Sequence, residues 1–410
     1  MYLKFESIPR PVLLAQGLKL LPHLVRLFAN WRFREVPAGR YGDPEINILQ
    51  DGDDGIIQAP WIEAEQRYRN AADLADGLSK HLIRCWIEEN APALGIAAAA
   101  ARFGDGLAVI IGGPKSGKSL LTASLSVLGH TVFADSVVPI AVSTRECIGL
   151  GMAPRLKLPL PASYTGPLRR RLERRLDSCG PQSAYLLPRA GDIAAFGERA
   201  PISAFVILDR ADGSITSLRP GTSSSLLKRL LLGSFDALPS ARATLNLLHD
   251  IVTNLPCYRL TWSDPSEAAR TLRARLAFKR PVPADDRSRE SASDSLPRRR
   301  AAGPRIPAGR RYRYADGLEI CRLDGTMFIA DTNGTAIYHL NSLGAGLWGL
   351  LDGTHGLEDV MSVLQNAYPT VDRTVIENDV TSLIAELVGR GLVIEQHAGD
   401  CGTERPEIIP

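Results

Sequence analysis

The sequence predicts an α/β fold for most of the chain and a second, smaller domain at its C-terminal end. Apolar, β-branched runs alternate with helical patterns up to residue 278, which is typical of a sheet covered by helices. Residues 279–304 are rich in Pro, Ser, Arg and Asp and carry almost no large apolar side chains. Such a segment cannot bury enough surface to fold, so we interpret it as a flexible linker. The predicted domains are therefore 1–278 and 305–397, followed by a tail at 398–410.

The first domain contains a mixture of predicted strands and helices. The strands are Leu107–Ile111, Thr131–Ala134, Val137–Val142, Ala204–Leu208 and Tyr258–Trp262. The helices are Gly77–Glu89, Ser119–Leu128, Leu226–Leu232 and Pro265–Phe278. Near the start, the apolar stretch Val12–Phe28 is interrupted by Lys19, His23 and Arg26, so we expect an amphipathic helix packed on the domain there, not a membrane span.

Composition excludes several function classes. The chain has 48 Lys+Arg and 45 Asp+Glu, and a net charge of +3 gives no argument for nucleic-acid binding. Its mean hydropathy of -0.04 argues against a membrane-embedded fold. The 6 cysteines are scattered, without a CxxC pair, which fits a reducing compartment. We therefore expect a cytoplasmic protein with neither a membrane nor a nucleic acid as its partner.

A complete phosphate loop, G-x-x-x-x-G-K-[ST], lies between the strand Leu107–Ile111 and the helix Ser119–Leu128. Its residues are Gly112, Gly113, Pro114, Lys115, Ser116, Gly117, Lys118 and Ser119. Glycines let the backbone bend so that several N–H groups point at phosphate oxygens, and the helix N-terminus adds positive potential. The motif predicts ATP binding, with Lys118 at the β- and γ-phosphates and the Ser119 hydroxyl on Mg²⁺.

Asp135 is the predicted acidic partner of this loop. It follows a short apolar strand that begins just after the loop helix. A carboxylate at the end of a neighbouring strand commonly completes the Mg²⁺ site of such proteins. We therefore expect Asp135 to act with Ser119 on the metal and with Lys118 in catalysis.

The order of phosphate loop, helix and Gly129-His130-x-x-x-Ala134-Asp135 resembles the HPr serine kinase family and its relatives over roughly residues 75–278. The resemblance implies an ATP-dependent kinase acting on a serine hydroxyl, and an oligomer of identical chains as one expectation. Two features depart from the family. Asp135-Ser136 stands where the family has paired aspartates, and Leu94–Ala101, before the loop, lacks the family's histidine. We expect His130 to pack against the sheet.

The C-terminal domain has a pattern of strands followed by three helices. Predicted strands are Arg311–Tyr314, Met327–Ala330, Thr335–Leu340 and, last, Leu392–Ile394, with hairpin turns at Asp324-Gly325 and Asn333-Gly334. The helices are one from Asn341 or Ser342 to Leu351, a second at Leu357–Ala367, and a third that begins at Asp372 or Thr374 and ends at Gly391.

This domain resembles PqqD, the precursor recognition element of ribosomally synthesised and post-translationally modified peptides. Matching stretches include Asn341-Ser342 through Trp348, Leu351-Asp352-Gly353, Asn378-Asp379-Val380 and Gly391-Leu392-Val393. The resemblance implies a small α+β winged-helix domain that adds the leader of a precursor peptide to a sheet edge. The residues it places against that peptide are Thr335, Ala336, Ile337, Tyr338, His339, Leu340, Ile376, Asp379, Val380 and Leu383.

Together the two resemblances imply a kinase that phosphorylates a precursor peptide, on serine, after capturing its leader. Other enzymes of the same peptide pathway are further expected partners. Three alternatives remain: a nucleotide-binding pseudokinase that delivers the precursor to another enzyme, an ATP-dependent carboxylate activator, and a DNA-binding winged helix. The acidic third helix disfavours DNA. The basic run Leu168–Leu176 is either a solvated helix face or a contact for an acidic substrate.

Overall fold

The computed structural model describes residues 1–15, 19–51, 54–89, 93–178, 182–211, 213–235, 238, 240–276, 310–396 and 408–409. The chain divides into two compact units. The first is Met1–Leu238 with Ile251–Ala284, and the second is Pro239–Asp250 with Asp285–Pro410. The predicted linker at 279–304 and nearly all of the tail at 398–410 lie outside the described residues. Within the described ranges, no helix is both long and apolar enough to cross a bilayer.

The first unit begins with a six-stranded sheet that the sequence pattern did not predict. Its strands are β1 (Tyr2–Phe5), β2 (Val12–Leu14), β3 (Phe33–Val36), β4 (Ile46–Asp51), β5 (Asp54–Gln58) and β6 (Gln66–Tyr68), in the order β3-β1-β2-β4-β5-β6. The helices here are α1 (Leu21–Leu27) and α2 (Ala71–Glu89). The helix expected over Val12–Phe28 is wrong in its first part, because Val12 and Leu14 alternate with a less buried Leu13 and pair as a strand with β1 and β4.

The remaining strands of this unit build a larger, mixed sheet and a small three-stranded one. In chain order they are β7 (Ala93–Ile96), β8 (Ala98–Phe103), β9 (Gly106–Ile111), β10 (Val132–Ala134), β11 (Val138–Ala141), β12 (Glu146–Ile148), β13 (Arg155–Lys157), β14 (Leu176–Ser178), β15 (Ser183–Leu186), β16 (Arg199–Arg210), β17 (Ser217–Pro220), β18 (Ser234–Phe235) and β19 (Cys257–Trp262). The helices are α3 (Lys118–Val127), α4 (Gly166–Glu173), α5 (Ser223–Gly233) and α7 (Pro265–Arg275). A further helix, α6 (Ala241–Asn254), is divided between the two units after Asp250. Each predicted strand and helix of this region is present, with ends shifted by a few residues.

Strand β9 lies at the centre of the site region. It pairs with β8 on one side, antiparallel, and with β16 on the other, parallel. Because β10 is antiparallel to β8, it runs in the same direction as β9 and β16. The carboxyl ends of β9, β10 and β16 therefore meet at one edge of the sheet, where α/β proteins place their ligands.

Burial explains why these segments form strands. All six residues of β9 are buried, since helices cover the sheet around it, and such a strand is continuously apolar. Residues Ala98–Ala101 of β8 are fully buried, and Ala99 and Ala101 contribute to the same core as Leu121 and Leu125 of α3. Trp262, at the end of β19, is also fully buried in this core.

The second unit is a small α+β domain. Its strands are β20 (Arg311–Tyr314), β21 (Glu319–Leu323), β22 (Thr326–Ala330), β23 (Ile337–Leu340), β24 (Val393–Gln396) and β25 (Ile408–Ile409), and its helices are α8 (Ser342–Leu350), α9 (Leu357–Ala367) and α10 (Arg373–Gly389). Strands β21, β22 and β23 form an antiparallel meander, while β20 pairs with β24. The sequence pattern missed β21, although the predicted turn at Asp324-Gly325 requires a strand before it.

The helices of the second unit begin where the sequence predicts. The side chain of Asn341 accepts a hydrogen bond from the Gly344 N–H at 2.8 Å, and Asp372 accepts one from the Thr374 N–H at 2.8 Å. Such caps satisfy backbone donors that the helix itself leaves unpaired. The predicted α/β and winged-helix α+β fold classes are both confirmed.

Candidate functional site

The backbone of the phosphate loop has the conformation that its glycines allow. Gly117 precedes α3 with φ +88°, a left-handed value that favours glycine. A Cβ on Gly112 would lie 2.3 Å from the Ser116 Oγ. A Cβ on Gly117 would lie 2.6 Å from the ring of Trp262. Both glycines are therefore required by close contacts within the fold as well as by the loop's turn.

The Lys118 side chain lies across this loop. Its Nζ donates to the carbonyl oxygen of Gly112 at 2.5 Å and to that of Gly113 at 3.3 Å. Burial lowers the pKa of Lys118, while the negative charge of Asp135 opposes that shift. The ammonium is thus held over the loop, where phosphate oxygens can replace the two carbonyl acceptors.

Asp135 lies beside the start of α3, as the sequence predicts. It directly follows β10, and its Oδ1 is buried and accepts no hydrogen bond. Burial raises the pKa of Asp135 to about 6, against hydrogen bonding from the Ser119 hydroxyl and the Arg155 backbone and the charge of Lys118. The fold therefore brings Lys118, Ser119 and Asp135 together.

This arrangement suits a magnesium ion. Mg²⁺ is usually bound through one or two carboxylates and the substrate's phosphates, and it keeps several waters. Asp135 offers a buried carboxylate oxygen that accepts no hydrogen bond, and Ser119 offers a hydroxyl next to it. Among the described residues, no group of three or more His, Cys, Asp or Glu could hold a metal ion, so Mg²⁺ here would also need phosphate and water ligands.

The histidines near the loop in sequence are engaged elsewhere. His130 Nδ1 lies 2.9 Å from the carbonyl oxygen of Arg102, and its ring packs on Phe103 with centroids 4.5 Å apart. The prediction that His130 packs against the sheet is confirmed. On α2, His81 accepts a hydrogen bond at Nδ1 from the Trp61 indole at 3.0 Å.

Sequence reasoning missed one carboxylate at the same sheet edge. Asp209 ends the buried run of β16, the parallel neighbour of β9. It lines a cleft with Lys115 and Ser116 of the phosphate loop, and Arg259 Nη1 lies 3.6 Å from its Oδ2. The signal was present, because Asp209 directly follows the apolar run Ala204–Leu208, and residues at the carboxyl ends of such strands commonly line the ligand sites of α/β proteins.

The predicted peptide-binding strand is a sheet edge in the second unit. Among the described residues, β23 pairs only with β22. Thr335 and Ala336 precede the strand, where the Asp331 carboxylate accepts the N–H groups of both, at 2.7 and 3.2 Å. The strand itself is Ile337–Leu340.

The ladder register identifies which backbone groups of β23 face away from the sheet. The Asp331 N–H donates to the Ala336 carbonyl at 3.0 Å, so these two residues form a hydrogen-bonded pair. Such pairs alternate along antiparallel strands, so Tyr338 also bonds toward β22. The backbone N–H and C=O of Ile337 and His339 therefore point outward, where an added strand would pair.

The predicted contacts on α10 lie at different depths. Ile376 and Val380 are buried in the core of the unit, Leu383 is half-buried against that core, and Asp379 is exposed. Arg390, just after the helix, lies over the ring of Tyr338 on β23 at 4.9 Å. The four α10 residues thus do not share one surface, and their contact with a peptide remains a prediction.

Comparison with known proteins gives one matching family model and one similar solved structure. The sequence model of the family described as Coenzyme PQQ synthesis protein D (PqqD) matches residues 326–393, which run from β22 to the first residue of β24. Among solved structures, the Hpr(Ser) kinase/phosphatase from Coxiella burnetii is similar at 12% identity, covering 44% of this chain and 94% of that one, with a TM-score of 0.22. No curated protein matches the chain.

Proposed function

We propose that this protein is an ATP-dependent kinase for a ribosomally synthesised precursor peptide, whose leader its PqqD-like unit captures. The observation that carries the proposal is a complete phosphate loop with Lys118, Ser119 and Asp135 together, in a chain that also matches PqqD. Neither feature alone specifies the reaction. A peptide module in the same chain as a nucleotide site makes a peptide the expected phosphate acceptor.

The residues of the loop would each have a defined task. The N–H groups at the start of α3 would bind the β-phosphate, and Lys118 would move from the Gly112 carbonyl to the phosphate oxygens. Ser119 and Asp135 would hold Mg²⁺, which supplies charge neutralisation when it is bound. Because phosphoryl transfer depends mainly on positioning and electrostatic stabilisation, these parts support catalysis without the family's histidine and second aspartate.

In the second unit, the outward backbone groups of Ile337 and His339 would pair with the leader as an additional strand. Backbone pairing gives affinity, and side chains on β23 and α10 would give selectivity. This function places the protein in the cytoplasm, where precursor peptides are made and modified.

The direct test is incubation of the full-length protein with Mg²⁺, ATP and a precursor peptide encoded beside it. Mass spectrometry should find a gain of about 80 Da, one phosphoryl group, on a serine of the precursor. Lys118→Ala should abolish this gain and leave leader affinity unchanged, because Lys118 belongs to the nucleotide site. Authentic precursors that bind but never gain mass would refute the kinase.

The second candidate is a nucleotide-binding carrier that delivers the precursor to another enzyme. Ser136 and the alanines of β8, in place of the family's aspartate and histidine, favour it. In cells, a carrier whose delivery of the precursor does not depend on the bound nucleotide would support modification despite Lys118→Ala. A kinase would lose its product with that single change.

A further inference from the structure

A polar cleft lies beside the phosphate loop, on the side away from Asp135. Its volume is about 540 Å³, and its polar lining includes Lys115 and Ser116 of the loop, Asp209 and Arg210 of β16, and Arg229 of α5. All of these residues belong to the first unit. None of the tasks given above to Lys118, Ser119 and Asp135 uses this cleft.

Sheet topology separates the cleft from the proposed magnesium site. Asp135 follows β10, which reaches β9 through β8. Asp209 and Arg210 end β16, which pairs with β9 on the opposite side, with Ile207 level with Ile111. The loop that follows Ile111 therefore has the Ser119–Asp135 pair on one flank and the cleft on the other.

The charges of the cleft favour an anion. Three cations, Lys115, Arg210 and Arg229, share it with one carboxylate, Asp209. The Arg210 guanidinium lies over the Trp262 ring at 5.7 Å, which holds it near the loop. Ser116 also lines the cleft, and its Oγ is buried within the loop without a hydrogen-bond partner. Arginine forks of this kind recognise carboxylate and phosphate groups.

We propose that this cleft is the acceptor site and that it binds an acidic peptide segment carrying the hydroxyl to be phosphorylated. The inference rests on the proposed kinase function. The loop amides and Lys118 serve the nucleotide's phosphates, so we assign Lys115 and Arg229 to the acceptor. Aspartate or glutamate side chains of the peptide match these two residues in charge.

The reaction then balances within the site. The peptide's hydroxyl oxygen forms a bond to the γ-phosphorus, and the bond from that phosphorus to the β–γ bridging oxygen breaks. ADP leaves with the bridging oxygen, and the hydroxyl proton passes to the carboxylate of Asp209. A base of this kind is typically worth about 10²–10⁴ in rate.

The test measures binding first, so that it does not depend on turnover. The full-length protein, loaded with Mg²⁺ and a non-hydrolysable ATP analogue, is titrated into fluorescein-labelled serine peptides that lack a leader. One peptide has Asp and Glu around the serine, and the other has Asn and Gln. We expect the acidic peptide to bind about tenfold tighter, as for one charge-assisted hydrogen bond or more.

Variants assign the effect to the cleft. Arg229→Ala should lower the affinity for the acidic peptide by about tenfold and leave the affinity for the ATP analogue unchanged. The control is Arg199→Ala, an exposed arginine at the opposite end of β16, which should change neither. Asp209→Asn should lower the phosphorylation rate at saturating peptide by about 100-fold without weakening peptide binding.

Several results would overturn the proposal. The first is equal affinity for the acidic and the neutral peptide, and the second is a loss of peptide affinity with Arg199→Ala as large as that with Arg229→Ala. The third is a tenfold loss of affinity for the ATP analogue with Arg229→Ala, which would make the cleft part of the nucleotide site. Phosphorylation of a precursor that is indifferent to its acidic residues and to Arg229 would refute the cleft and leave the kinase intact. Binding of the acidic peptide through Arg229, with no phosphorylation of any peptide, would support an acidic-peptide site and refute the kinase.

Discussion

Replacing Asp135 by asparagine tests whether its carboxylate is kept for function at a cost in stability. Burial raises the pKa of Asp135 from 3.8 to about 6, so the folded protein binds a proton more tightly than the unfolded chain does. This rise in the pKa of Asp135 corresponds to about 3 kcal/mol of unfolding free energy lost once the group is ionised. Without Mg²⁺, Asp135→Asn should therefore be about 3 kcal/mol more stable than the parent at pH 8.

The sign follows from proton linkage. Between pH 3.8 and about 6 the folded state holds the proton and the unfolded state does not, so stability falls as the pH rises through this window. At pH 5 only about half of this loss of unfolding free energy applies, so the variant should be about 1.6 kcal/mol more stable than the parent. Asparagine does not titrate, so only the parent carries this pH dependence.

Urea unfolding in EDTA, followed by tryptophan fluorescence, measures both quantities. The relevant transition is the one that Mg²⁺ and ATP shift in the parent protein, since a ligand stabilises the unit that binds it. The same variant should lose that stabilisation by Mg²⁺ and ATP. A variant that is less stable than the parent at pH 8, or a difference that is the same at pH 5 and pH 8, would refute the assignment of a buried carboxylate whose desolvation exceeds its compensating contacts.

The remaining predictions concern glycines, the sheet edge and the turn before it. Gly117→Ala should abolish ATP binding and destabilise the first unit by about 1–3 kcal/mol, because its Cβ would meet Trp262 at a left-handed φ. Calorimetry measures both effects. The control is Gly346→Ala in α8, which has nothing within 4 Å of its Cβ and should stabilise the second unit by about 1 kcal/mol. Ile337→Pro should abolish leader binding in a polarisation assay with little change in folding, since its N–H faces outward, whereas Tyr338→Pro should unfold the hairpin. Equal effects of the two prolines would contradict the register. Burial alone would raise the pKa of Asp331, but hydrogen bonds from Thr335 and from backbone N–H groups lower it. The stability that Asp331 contributes should therefore be present above its ordinary pKa and be lost as the pH falls through its pKa in the folded protein. Acid titration of the second unit would detect this loss.

Features that need only a few consecutive residues were predictable from the sequence. The phosphate loop is one, because its glycines, Lys118 and Ser119 act through the backbone of a single turn. The caps at Asn341 and Asp372 are others, since each side chain bonds an N–H two or three residues ahead. Local hydrogen bonds of this kind are determined by residue type and spacing alone.

Features that depend on which strands are neighbours were not predictable. The first sheet of the unit consists of short strands, some with polar residues, such as β3 and β6, and Leu3, Phe5 and Trp31 are buried in the core of this part of the unit. The same limit applies to β21, because the charged residues Glu319 and Arg322 interrupt the apolar pattern that would have indicated a strand. Their burial follows from tertiary context, which overrides strand propensity.

The topology also changes which residues can decide between the two proposed functions. Lys118, Ser119 and Asp135 are required by a kinase and by a nucleotide-dependent carrier alike, so their loss in a purified system removes nucleotide binding in both cases. Asp209 and Arg229 do not serve the nucleotide in the arrangement proposed here, because β16 and α5 lie on the other flank of the loop. A carrier has no use for a base and an anion cleft beside the terminal phosphate, whereas a kinase with an acidic acceptor does. Variants at these two positions, which no local motif identified, therefore separate the functions more sharply than variants of the phosphate loop itself.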